Sequence, residues 1–141
     1  MYSWRFFEID DLLDINPHPL HEIKYVNEES YKEAAEQKGS VSIFHDGSCI
    51  ACMGIITLYE GRGYIWSIMG EDAGKHMVKI HKIATSLLEQ IAPTMRRIEA
   101  YVDCDFPQAI RWIKMLGFEK EGIMKNFNPN GTDASLWARY K

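Results

Sequence analysis

The apolar pattern changes period twice between residues 64 and 103, and this limits the fold more than any other feature. Residues 64–69, Tyr-Ile-Trp-Ser-Ile-Met, have strand character. Met77, Ile80, Ile83, Ala84, Leu87, Leu88 and Ile91 then recur on one helical face, and Pro93 ends the run. In residues 97–103 the period returns to that of a strand, with Ile98, Ala100 and Val102 on one side. Two strands flanking such a helix pair in parallel through a right-handed crossover. The chain is expected to be α/β.

The rest of the sequence surrounds that unit with antiparallel signals. Residues 4–9 read as a first strand and residues 10–14 as a short acidic helix. Two prolines make residues 16–21 irregular. A polar helix over residues 29–38 stops at Gly39. Strands over 41–45 and 50–59 are joined by Asp46-Gly47, a strong hairpin signal, and residues 60–63 make a further turn. After residue 103, Asp105 is placed as a helix cap, with Gln108 completing a capping box and Pro107 in the first turn. Gly117-Phe118 fits a left-handed helix stop, and residues 118–127 and 134–140 pair as a hairpin across Asn128-Pro129-Asn130-Gly131. The expected fold is a mixed, mostly antiparallel sheet with helices packed on it.

At 141 residues this is most simply one domain, residues 1–141, long enough to bury roughly 68–70% of its unfolded surface. A hydrophobic fraction of 46% and an aromatic fraction of 12% suit a packed core. A net charge of −4 with scattered lysines and arginines gives no field for nucleic acid, so no nucleic-acid partner is expected. No apolar run approaches the length of a membrane span, and the first residues turn acidic too early for a signal peptide. Three cysteines, an odd count, argue against a disulfide framework and for a reducing, cytoplasmic setting.

The stretch Asp105–Lys125, DFPQAIRWIKMLGFEKEGIMK, is similar to the signature N-x-x-A-I-x-L-Y-E-K-x-G-F-x-x-E-G. With the order of elements above, it resembles the GCN5-related N-acetyltransferase (GNAT) superfamily. The resemblance spans nearly the whole chain as element order. Motif similarity covers about residues 105–137, with a weaker match near 69–88. Leu116-Gly117-Phe118, Glu121-Gly122, Gly131, Asp133 and Leu136 also match the ending shared by compact GNAT-like proteins of tailed bacteriophages. The resemblance implies a GNAT-like sheet with a central parallel pair, flanked by about four helices. It further implies acetyl transfer from acetyl-CoA to an amine. Carried over by position, the backbone of Ile68 and Met69 would meet the pantetheine arm. The pyrophosphate would lie over Gly70, Gly74, Lys75, His76 and Met77, at a helix start whose bare N–H groups favour anions.

The sequence departs from the family pattern in two places. In the phosphate loop, Gly74 and Lys75 take the first glycine and its neighbour, but His76 stands where a second glycine belongs and the arginine is absent. Glu71 and Asp72 add negative charge that Lys75 offsets only in part. On the following helix, Ile113 occupies the place of the tyrosine that protonates the leaving thiolate, and Phe106 that of an asparagine. Substitute acid–base groups are Glu99 and Tyr101, which share one strand face, with Ser67 on the neighbouring strand. Two further readings stand beside the enzyme. One is a non-catalytic GNAT fold kept for a protein partner, such as a virion or host-binding component. The other is a module that binds CoA without turnover.

Other constellations carry less. Cys49 and Cys52 have metal-like spacing but no second pair, and strand alternation points them to opposite faces, so no metal is expected. Cys104 lies between two aspartates, which disfavour a thiolate. His18 and His21 fall in the proline-rich segment, and His76 and His81 do not face each other along a helix. Trp4, Trp66, Trp112 and Trp137 are expected in the core. The acceptor amine and the oligomeric state are not legible.

Overall fold

The computed structural model describes residues 1–15 and 28–140; His18 and His21 lie outside them. The order is β1 (Tyr2–Phe6), α1 (Asp11–Asp14), α2 (Glu28–Gln37), β2 (Ser40–His45), β3 (Ser48–Tyr59), β4 (Arg62–Met69), α3 (Met77–Ile91), β5 (Arg97–Asp103), α4 (Pro107–Met115), β6 (Glu119–Met124) and β7 (Ala134–Tyr140). The sheet has seven strands in the order β1-β2-β3-β4-β5-β7-β6. Its β4–β5 pair is parallel, as the strand–helix–strand pattern requires, while β1–β2, β2–β3, β5–β7 and β6–β7 are antiparallel. The fold is mixed α/β, as expected. Two compact units divide the chain: Met1–Ile56 with Ile65–Gln90, and Thr57–Tyr64 with Ile91–Lys141.

In the first unit, Asp46 (φ 49°) and Gly47 (φ 86°) make the two-residue turn between β2 and β3. The stop of α2 differs from expectation: Lys38 (φ 55°) takes the left-handed position, not Gly39. Gly39 is needed for another reason, since a Cβ there would lie 2.9 Å from the Ile55 carbonyl oxygen. The first strand ends before Phe7, because Asp11 gathers the following residues into a turn. Its buried carboxylate accepts from the Glu8 N–H (3.0 Å), Arg5 Nη1 (2.9 Å), Arg5 Nη2 (2.5 Å) and Ser42 Oγ (2.6 Å). Burial alone would raise the Asp11 pKa, but the Arg5, Ser42 and Glu8 hydrogen bonds hold it below its ordinary value. The core of this unit includes Val41, Ile43, Ala51, Ile55, Ile56 and, on one face of α3, Ile80, Ala84 and Leu88.

Two expectations fail here for identifiable reasons. Cys49 and Cys52 do not diverge; their sulfurs are 3.7 Å apart. The β2–β3 register runs Ile43↔Ala51 and then Phe44↔Cys49, so Ile50 is an extra, bulged residue that resets the alternation. Trp4 is 57% exposed on β1, whereas Trp66 packs at 4.9 Å from Phe7 and 5.0 Å from Tyr31, and Trp137 is buried.

In the second unit, Gly117 (φ 88°) closes α4 as expected, its N–H donating to the Lys114 carbonyl and Phe118 N–H donating to that of Ile113. The start of α4 does not follow the capping-box reading. Pro107 at the helix start makes Phe106 the N-cap, without a side-chain cap. Asp103 organises the approach instead, its carboxylate accepting the Asp105 N–H (3.0 Å). Phe106 and Ile113 are both buried, with Leu116, Phe118, Ile98 and Val102. The strand β6 ends at Met124 because Asp133 ties down Lys125 (3.1 Å) and the Asn126 N–H (3.0 Å). Among the described residues no helix is long and apolar enough to cross a membrane.

Candidate functional site

In the first unit, Ile68 and Met69 end β4 with buried side chains. The Gly70 N–H donates to the Ile50 carbonyl (2.8 Å), so Gly70 serves as the strand exit. One turn of 3-10 helix over Ala73–His76 then leads directly into α3 at Met77. Within this turn the Ala73 N–H donates to the Gly70 carbonyl (3.0 Å) and the Lys75 N–H to that of Asp72 (3.1 Å). Gly74 has no positive φ, and a Cβ built on it meets nothing within 4 Å. The fold itself therefore does not require glycine at that position. The His76 imidazole is committed elsewhere: Nδ1 is hydrogen-bonded to the Tyr2 hydroxyl (2.7 Å), and the ring lies 4.5 Å from that of His45. Lys75 lies 3.5 Å from the Asp72 carboxylate, and both side chains are largely exposed. That pairing divides the one lysine of the loop between Asp72 and any incoming anion.

In the second unit, Glu99 and Tyr101 are brought together on one face of β5. Glu99 is buried, and its carboxylate accepts from Arg62 Nε (2.7 Å), Arg62 Nη2 (3.2 Å), Arg97 Nε (2.8 Å) and the Tyr101 hydroxyl (2.8 Å). Arg97 is in turn held by Glu121 through a two-pronged ion pair. The parallel register Arg62↔Arg97, Gly63↔Ile98 and Tyr64↔Glu99 delivers Arg62 to this cluster. Burial pushes the Glu99 pKa up, but Arg62, Arg97 and Tyr101 outweigh it and hold it at about 2. Burial, with the Glu99 charge beside it, pushes the Tyr101 phenol up to about 12. The carboxylate thus stays ionised and the phenol stays protonated across the neutral range. Tyr101 is 38% exposed, with its ring 5.6 Å from Tyr64 on one side and 5.6 Å from Phe127 on the other.

Arg62, Arg97, Glu121, Tyr64 and Phe127 were not among the residues expected at the site. Alternation along 97–101 could have found Arg97, but Arg62 and Phe127 arrive through pairing and a loop that no local pattern encodes. Ser67 belongs to the first unit and Glu99 to the second. Among the described residues no three His, Cys, Asp or Glu side chains gather as a metal site, and no buried side-chain nitrogen or oxygen lacks a hydrogen-bond partner.

The strand order, the parallel β4–β5 pair and the helix α3 that links them define the GNAT fold. Solved structures of this fold match the chain along its length. They include Ard1 from Thermoplasma volcanium, with a TM-score of 0.79, 14% identity, and 99% of this chain and 97% of that one covered. Arabidopsis thaliana Naa50, solved with the bisubstrate analogue CoA-Ac-MVNAL, gives a TM-score of 0.75 at 16% identity, covering 99% of each chain. The ribosomal-protein-S18-alanine N-acetyltransferase from Escherichia coli gives 0.67 at 18% identity, covering 99% and 94%. No family model matches the sequence, and no curated protein matches it either.

Proposed function

We propose that this chain is an N-acetyltransferase that takes acetyl-CoA along residues 68–77 and transfers the acetyl group to a primary amine. The observation that carries the reading is Tyr101, a half-exposed phenol kept protonated and oriented by a carboxylate. On this reading the Tyr101 O–H, which donates to Glu99 in the resting structure, turns to the departing sulfur and gives up its proton. The phenolate left behind takes the proton that the attacking amine releases; the resemblance expects a tyrosine for this work at the position of Ile113. Glu99 is its positioning residue, because a carboxylate with a pKa of about 2 is a weak base but a firm hydrogen-bond acceptor.

The residues present fit a CoA pyrophosphate in backbone terms. The helical run from Ala73 into α3 turns its positive dipole end toward the loop, and Gly74 leaves room for close approach, although the Ala73 and Lys75 N–H groups already donate to the Gly70 and Asp72 carbonyls. The His76 side chain is held against the cross-strand pair Tyr2 and His45 of β1 and β2. Bound there, the cofactor supplies the activated thioester. The acceptor class is best sought among peptide α-amines, since the bound analogue of Naa50 and the name of the E. coli enzyme point that way for those proteins. A second reading, a GNAT fold kept for a protein partner such as a virion component, is favoured by the Asp72–Lys75 pairing and by Ile113 and Phe106 serving the core.

Calorimetry and thermal unfolding with acetyl-CoA separate the two. Binding to the folded state alone should stabilise the chain by about 2.7 kcal/mol at a hundredfold excess over Kd. Gly74→Ala should fold as the parent does and bind acetyl-CoA more weakly. Tyr101→Phe should bind it equally but transfer acetyl to free-N-terminus peptides at least about a hundredfold more slowly. No stabilisation at millimolar acetyl-CoA removes the enzymatic reading; full transfer by Tyr101→Phe removes the assignment of the acid.

A further inference from the structure

The strand β1 is the terminal strand of the sheet, and every one of its residues is exposed. Its two backbone directions can be told apart. The Asp46 N–H donates to the Met1 carbonyl and the Phe7 N–H to the Ser40 carbonyl, both at 2.9 Å. In an antiparallel ladder the bonded residues alternate, so Ser3 and Arg5 also turn their backbone groups toward β2. Tyr2, Trp4 and Phe6 therefore turn their N–H and C=O groups outward, to the open side. The same three side chains share one face, at 37%, 57% and 55% exposure.

Among the described residues, two of the devices that usually protect an edge, proline and a bulge, are absent from this short strand. It contains no proline, and its register with β2 is unbroken from Tyr2 to Phe6. Its only charged side chain, Arg5, is drawn back onto buried Asp11. The Phe6 carbonyl already accepts from Arg5 Nη1 at 3.1 Å, which leaves it a second lone pair.

We propose that this edge pairs with the same edge of a second copy of the chain, antiparallel about a twofold axis at Trp4. Trp4 then faces Trp4 of the second copy, and Tyr2 faces its Phe6. In that register Trp4 opposite Trp4 and Tyr2 opposite Phe6 are pairs of outward-turned residues, each exchanging both N–H···O bonds, while Ser3 and Arg5 form the intervening non-bonded pairs. A slip by one residue would present inward-turned backbone, and a slip by two would leave one of the aromatic residues unpaired. Self-pairing is favoured over a foreign strand because the edge complements itself. Aromatic rings meet aromatic rings, and Arg5 falls opposite Ser3, so no like charges face. The interface is isologous and closes as a dimer, because pairing consumes the edge.

Sedimentation velocity over a dilution series, with amide hydrogen exchange, tests the proposal. The parent chain should be a dimer when concentrated and dissociate on dilution, with the Tyr2, Trp4 and Phe6 amides protected only in the dimer. Trp4→Pro removes an outward N–H and no bond to β2, and Trp4→Lys keeps the backbone but adds charge. Both should be monomeric, with the urea midpoint of the monomer unchanged. A parent chain that is monomeric at every concentration overturns the proposal, as does a dimer that survives either substitution. Edge amides protected in a dilute monomer would also overturn it, since the chain itself would then cover β1.

Discussion

Replacing Glu99 by glutamine tests whether the buried carboxylate is an anchor. The parent carboxylate receives two arginines and a phenol, and its pKa falls from 4.5 to about 2. A difference of about 2.5 units corresponds to about 3.4 kcal/mol of stability at neutral pH. The side chains of Arg62 and Arg97 are 34% and 30% exposed, so solvent screens part of this, leaving about 1–2 kcal/mol. Glutamine adds a second cost. Its amide nitrogen must face arginine donors, and a buried donor without an acceptor costs about 1–3 kcal/mol, reduced here because water reaches the arginines. Glu99→Gln should therefore lower stability by about 2 kcal/mol, or about 6–8 °C in Tm for a chain of this size. The sign of the pH dependence follows from a depressed pKa. The carboxylate contribution is fully present above 4.5 and is lost as pH falls toward 2, so the gap between parent and variant should narrow over that window. Urea unfolding at neutral pH and at stepwise lower pH measures both quantities. A variant with the parent's midpoint, or a gap that stays constant to the acid end, would refute the anchor.

With the Glu99 carboxylate fixed as an anion and the Tyr101 phenol fixed as neutral, acetyl transfer should follow the ionisation of the acceptor amine. kcat/KM measured with two acceptors of different amine pKa should show inflections that move with the acceptor; a shared inflection would reveal a protein base that this assignment lacks. Gly54→Ala tests the β2–β3 contact, because a Cβ at Gly54 would collide with the buried backbone and side chain of Ser40, the acceptor of the Trp66 indole N–H. A loss of about 3 kcal/mol in urea unfolding is expected, and a neutral result would show that β2 and β3 can separate there without cost.

The architecture was legible because each element carries its own local signal. The helical face from Met77 to Ile91, the Asp46-Gly47 turn and the Gly117 stop all appear where the pattern places them. What escaped depends on pairing. The bulge at Ile50 has no composition of its own, yet it reverses the facing of Cys49 relative to Cys52 and brings the thiols together. Asp11 reads as one of several acidic residues in a surface helix. Its burial follows from Arg5 and Ser42, which reach it from β1 and β2. Trp4 reads as core by composition, yet it is largely exposed on β1, the terminal strand of the sheet.

The same distinction bears on the two departures from the acetyltransferase signature. Phe106 and Ile113 stand where a ligand contact and an acid are expected, and both are buried in the second unit's core. Their replacement therefore serves packing, and by itself it does not decide whether the chemistry survives. A phenol is available on β5, not α4, and its protonation is set by Glu99 rather than by the helix that the signature describes. The support for that phenol comes through Glu99, which is held by Arg62 through the parallel register and by Arg97 two residues before it, with Glu121 on β6 behind Arg97. Three elements must fold before Tyr101 is oriented, so no linear motif could have announced it. Under the proposed function the proton donor is separable from the fold, and Tyr101→Phe should accordingly slow transfer at least about a hundredfold while leaving the Glu99–arginine cluster in place.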